Sequence, residues 1–80
     1  MSKTISISEL HQKTTAAAAR EKAATYELLE CLHLVDRRKA YLELGYPSLF
    51  EYIENALGYS STQAYERMSA MRIAFRVTEI

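Results

Sequence analysis

The sequence predicts an all-α protein: a small bundle of about four helices, with a long N-terminal helix and a helix–turn–helix-like hairpin at the C-terminal end. Three observations carry that prediction. Ala is abundant, while only two Gly and one Pro interrupt 80 residues, a composition that favours helix. Three Ser residues each precede a Glu or Gln by three positions at the head of an apolar pattern, the spacing of a capping box. No segment alternates apolar and polar residues with the period of two that a strand requires.

The first box is Ser6 with Glu9, and a helix beginning there is expected to run to about Val35. Its opening half, "HQKTTAAAAREKAAT", carries helix propensity but few large apolar groups, so it offers little to bury. Residues 1–27 therefore form an Ala-rich helix free to project, exposed or paired with another chain, while residues 28–80 form the packed core. In the second half Leu28, Leu32 and Val35 share a face, with Ala24 and Cys31 beside them, so Cys31 reads as a small buried thiol. "DRRKAYLELG" follows. Asp36 either caps a new turn or lies within a kinked continuation. Tyr41, Leu42 and Leu44 give a short helix its apolar side, and Gly45 stops it.

"YPSLFEYIENALG" has Pro47 where a helix tolerates it, just before the first turn. Ser48 and Glu51 make the second box. Leu49, Phe50, Ile53, Ala56 and Leu57 trace a buried stripe, closed by Gly58 at the C′ position. Ser60 and Gln63 make the third box and start a helix expected over Ser61 to about Val77. Ala64, Met68, Met71 and Phe75 fall on one arc of it, the core stripe.

Enzymatic chemistry finds little support. A nucleophile needs a base within hydrogen-bond reach, yet His11 and His33 are the only imidazoles, and 22 residues of helix hold them roughly 33 Å apart. Both read as solvated surface residues. One cysteine permits no internal disulfide and, with distant histidines, suggests no metal site and no cofactor. Glu51 and Glu54 share a face, as surface glutamates commonly do. The N-terminus lacks the apolar core of a signal peptide, and no apolar run reaches the ~18 residues that span a bilayer. The expectation is a cytoplasmic protein, not an enzyme in itself and without a membrane partner. "FRVTEI" follows straight on a helical segment, which reads as a module of a longer protein.

The last helix has a face suited to nucleic acid. Tyr65, Ser69, Arg72 and Arg76 lie in a row, where guanidiniums and hydroxyls can meet phosphates and base edges. Ser61, Thr62 and Gln63 occupy the helix N-terminus, whose free N–H groups and dipole favour a phosphate, and Gln63 can bond an adenine edge in a major groove. Arg37, Arg38 and Lys39 make a second basic cluster, a secondary phosphate clamp. Each residue also has a plainer role: Ser60 and Gln63 as caps, the arginines as a wet face, Tyr65 as packing. Lys+Arg and Asp+Glu are equal at 10 each, so counterion release and affinity are expected to be small. Fitted to a helix–turn–helix pattern with Gly58 as the turn glycine, Ile53, Leu57, Tyr59 and Ala64 fall at apolar positions. Glu54 replaces the usual small residue, and Arg67 replaces a buried apolar one.

The stretches "VDRRKAYLELGYPSLFEYI" and "LGYSSTQAYERMSAMRIA" resemble the helical N-terminal region of bacterial proteins that carry an HNH nuclease domain further along the chain. The resemblance runs from about Leu28 to the end. It implies a protein acting on DNA, with this region positioning the nuclease or binding the duplex. The clustered histidines and asparagine of an HNH motif are absent, so no catalytic residue carries over. The duplex-binding candidates are thus Ser61, Thr62, Gln63, Arg67, Arg72 and Arg76, with Arg37, Arg38 and Lys39. The alternative is an interaction module without DNA affinity, forming a homo-oligomer or docking the remainder of a parent protein. Ile73, roughly opposite the core stripe, and Val77 would be its surface.

Overall fold

In the computed structural model, which describes residues 4–76, the chain forms four helices and, among those residues, no strand. They are α1 (Ile7–Arg38), α2 (Ala40–Glu43), α3 (Leu49–Asn55) and α4 (Ser61–Phe75). The all-α architecture with a long first helix and a C-terminal helical hairpin is as the sequence predicts. The molecule measures 51 × 33 × 19 Å. At ~1.5 Å per residue the 32 residues of α1 span about 48 Å, so that helix sets the long dimension. No helix among the described residues is long and apolar enough to cross a membrane.

α1 starts as its sequence signals. The Ser6 hydroxyl accepts the Glu9 N–H at 3.1 Å, and Glu9 Oε1 accepts the Ser6 N–H at 3.2 Å, so two otherwise orphaned donors are satisfied reciprocally. The helix does not stop near Val35. It continues without a break through Asp36 to Arg38, and Lys39 ends it in a left-handed conformation with φ 52°. Arg37 and Arg38 in this last turn face the negative end of the helix dipole, which favours the continuation. α2 then closes on the pattern Gly45 permits. The Gly45 N–H donates to the Leu42 carbonyl and the Tyr46 N–H to that of Tyr41, with Gly45 at φ 96°, which is the Schellman arrangement.

The α3 start is half of the expected box: the Ser48 hydroxyl accepts the Glu51 N–H at 3.1 Å, without a reciprocal bond from the Glu51 side chain. α3 ends at Asn55 with Ala56 as C-cap, so Gly58 (φ 79°) turns the chain one residue beyond the C′ position. Its left-handed backbone aims the chain into α4. There Ser60 and Gln63 form a complete box, each bond 3.1 Å. α4 ends at Phe75 with Arg76 as its cap, and Val77 lies outside the described residues.

The core is small. Leu29 and Leu32 from α1, Leu49 and Ile53 from α3, and Ala64 and Met71 from α4 are buried, with Leu28, Val35, Tyr41, Phe50, Met68 and Phe75 packed around them. α4 lies against α1 on one side and α3 on the other, and α2 stays against the end of α1. The buried side of α1 is turned towards Leu29 by roughly 50° from the stripe read off Leu28, Leu32 and Val35. Cys31 and Ala24 therefore face solvent, which corrects the expectation of a buried thiol. Ala56, Leu57, Leu42 and Leu44 are likewise exposed, and only Tyr41 of the α2 group turns inward. Every described residue from Thr4 to Glu27 is exposed. That stretch of α1 is held by its own backbone ladder and propensity.

Candidate nucleic-acid interface

The candidate residues separate into two groups at opposite ends of α4. Ser61, Thr62 and Gln63 lie at its N-terminus and Arg72 and Arg76 at its C-terminal end. Gln63 and Arg76 are thirteen residues apart, about 20 Å along the axis.

At the N-terminal end the side chains already have structural partners. Gln63 Oε1 accepts the Ser60 N–H, so only its amide NH₂ remains to donate. A bidentate adenine contact needs both atoms and would break the cap. The Ser61 hydroxyl donates to Glu54 Oε2 in a short hydrogen bond. The glutamate at the helix–turn–helix small-residue position thus ties α3 to α4, and it sets a carboxylate where an incoming phosphate would approach. Thr62 is exposed. Arg67, at the position expected to be apolar, is half-buried. Its guanidinium lies over the Tyr59 ring at 5.3 Å from the centroid, a cation–π arrangement. Its Nε is buried and has no hydrogen-bond partner among the described residues.

At the other end α4 crosses α1. Phe75 stacks on His33 with ring centroids 4.5 Å apart and planes 9° from parallel, and it meets Tyr26 at 6.0 Å. His33 is therefore half-buried against an aromatic partner, a correction to its reading as a solvated residue; His11 is exposed as expected. This clasp fixes the roll of α1 relative to α4 and with it the placement of the basic groups. Arg37 from α1 and Arg72 and Arg76 from α4 line a single cleft of about 250 Å³, floored by Met71 and Phe75 and shared with His33 and Asp36. One arginine of the first basic cluster and two of the α4 row, 35 residues apart in sequence counting from Arg37 to Arg72, thus share one site.

No family model matches the chain. Neither a curated relative nor a solved structure matches it either.

The charge in the cleft is lopsided: three guanidiniums against the one carboxylate of Asp36. Among the described residues no side-chain hydrogen bond or ion pair engages the guanidiniums of Arg37, Arg72 or Arg76. All three are exposed, so water screens their mutual repulsion, but an anion in the cleft would relieve it and gain charge-assisted hydrogen bonds. Arg38 is exposed at the last position of α1, and Lys39 forms the joint to α2; neither lines the cleft. Among the described residues no three His, Cys, Asp or Glu side chains gather as a metal site would need.

The remaining candidates lie on open surface. Tyr65, at 64% exposure, points to solvent rather than into the core, and Ser69 is half-buried one turn further on. With Arg72 and Arg76 they make a continuous outward row along α4. Ile73, at 67% exposure, stands beside that row. A larger hollow of about 690 Å³ at the start of α1 is lined by Ile5, Glu9, Lys13 and neighbours; it has one carboxylate for its one cation and no convergent charge. Sequence reasoning missed the His33–Phe75 stack and the Glu54–Ser61 bridge. The only available signal for either was an aromatic or polar residue at a position where the pattern wanted something else.

Proposed function

We propose that this chain is a small helical DNA-binding or DNA-positioning module, the N-terminal part of an HNH-nuclease-like protein. The convergence of Arg37, Arg72 and Arg76 on one cleft carries the DNA reading. Guanidiniums are the side chains best suited to phosphate, and these three come from two helices whose crossing is fixed by an aromatic clasp. The link to an HNH nuclease is supported by the sequence resemblance alone. In this reading α4 lies along the duplex, its C-terminal arginines and Arg37 take backbone phosphates, and Tyr65, Ser69 and Thr62 follow the same strand. Arg67 stabilises the hairpin and contributes little to binding. Phosphate contacts of this kind position a protein without specifying sequence.

The test is fluorescence anisotropy of the 80-residue chain against a labelled random-sequence duplex. Three phosphate contacts imply that affinity falls roughly fortyfold between about 50 and 200 mM salt, from a slope of ~0.9 per contact. Arg72→Ala/Arg76→Ala should flatten that slope to about one contact. Absence of binding at high protein concentration would sink the DNA reading.

A second reading, an interaction or self-association module without DNA affinity, is favoured by the apolar groups left outside. Ile7 is 81% exposed, and every residue of α1 from Ile7 to Glu27 is exposed. Ile73 on α4, at 67% exposure, adds a second uncovered apolar group of the kind a partner surface buries. Sedimentation equilibrium over a hundredfold range of protein concentration separates the two, since a mass that rises with concentration without duplex affinity selects the second.

A further inference from the structure

We propose that the α1–α4 cleft takes the terminal phosphate monoester of a nucleic-acid strand in preference to an internal phosphodiester. This rests on the DNA reading above and narrows it. Two observations point to a strand end. The first is charge. Three guanidiniums against Asp36 leave a formal surplus of two positive charges in the cleft. An internal diester brings one negative charge and leaves one cation uncompensated, whereas a phosphate monoester brings about −1.5 to −2 at neutral pH and closes the balance. It also brings three terminal acceptor oxygens, one for each guanidinium. The second is shape. The site is an open-sided concavity of about 250 Å³ between two crossing helices. A diester has chain leaving it in two directions and suits an open track. A monoester has chain on one side only and can enter a hollow, with its sugar against the apolar floor of Met71 and Phe75.

The arrangement also divides the arginines by role. Arg37 approaches from α1, whereas Arg72 and Arg76 are four residues apart on one face of α4. Two guanidiniums on one helix turn can track a backbone in any helical DNA-binding protein. The third, from the crossing helix, lets an anion be met from two sides. Arg37 is therefore the group that separates end recognition from general phosphate contact.

The test compares one short blunt duplex prepared with 5′-phosphates, with 3′-phosphates and with hydroxyl ends, titrated by anisotropy with the full 80-residue chain at about 50 mM salt. The proposal expects a phosphorylated end to bind about tenfold tighter than the hydroxyl form, the scale of one charge-assisted hydrogen bond. Arg37→Gln should erase that preference, so that the phosphorylated and hydroxyl duplexes bind equally, with both weakened by the loss of one phosphate contact; a circular-dichroism spectrum of the variant checks that its helices are intact. Equal, salt-sensitive binding of all three duplexes overturns end recognition and leaves the DNA reading standing. Binding of none overturns both. A phosphoserine peptide that competes as well as the phosphorylated duplex would assign the cleft to phosphoproteins, and would overturn the nucleic-acid source.

Discussion

Arg67 shows how a single side chain reconciles a sequence pattern with its violation. The helix–turn–helix fit wants an apolar residue there, and Arg67 complies with its stem, half-buried while its guanidinium lies over Tyr59. The cost is a buried Nε without a hydrogen-bond partner among the described residues. An orphaned donor costs about 1–3 kcal/mol, against ~0.5–1 kcal/mol for a cation–π contact at a partly exposed site. Arg67→Met, which keeps the stem and removes both, is expected to raise the unfolding free energy by about 1 kcal/mol, read from the urea midpoint. A drop in the midpoint would mean that the guanidinium contributes more than its orphaned nitrogen costs. Lys39 poses a similar question in the backbone. It is the one non-glycine residue of positive φ among those described, a conformation that costs a β-carbon roughly 1–2 kcal/mol. Lys39→Gly should relieve that strain. Because glycine also loosens the unfolded chain, the net gain is expected to be no more than about 1 kcal/mol in chemical denaturation.

At the scale of elements, the helix starts were legible because a capping box is a local device: Ser6–Glu9 and Ser60–Gln63 need only their own four residues. Helix ends and faces were less so. The end of α1 moved from Val35 to Arg38 because nothing in "VDRR" breaks a helix and its arginines suit a C-terminus. The roll of α1 is not fixed by its own sequence, because Leu28 and Leu29 are adjacent and only the packing of α4 decides which of them is buried. Cys31 goes to the solvent side with that choice. The basic cleft was legible as two clusters but not as one site, since the crossing of α1 over α4 is set by His33 and Phe75, a contact no local pattern encodes. The same division predicts dynamics. Amides of α1 before about Tyr26, lacking packed neighbours, should exchange within the time of local fraying, while those of Leu32, Ile53 and Met71 should exchange only on global opening. Native-state hydrogen exchange checks this; slow exchange at Ala16–Ala19 would reveal a partner covering that stretch.

For the whole molecule, stability rests on very few side chains. A chain of this size commonly has about 4–12 kcal/mol in all, and among the described residues six form the buried core, with Leu32, Ile53 and Met71 its large fully buried side chains. Ile53 is completely buried at the meeting of α3 and α4. Ile53→Ala is expected to cost about 2–5 kcal/mol, a large share of that total. Urea unfolding followed by circular dichroism gives the figure directly. A loss under 1 kcal/mol would show that the hairpin closes around the gap. The residual helicity after unfolding should be disproportionately that of the Ala-rich segment, whose order owes least to the core.

α1 is anchored only over its last third, and its free portion is stiff. A tilt of about 10° at Tyr26 would sweep Ile7, nineteen residues away, through about 5 Å. Of the rings that clasp the two helices, His33 and Phe75 also line the basic cleft, and Tyr26 meets Phe75 further along α1. A tilt that began at these rings would thus be largest at the far tip. The helix is a pointer, and the aromatic clasp is its pivot.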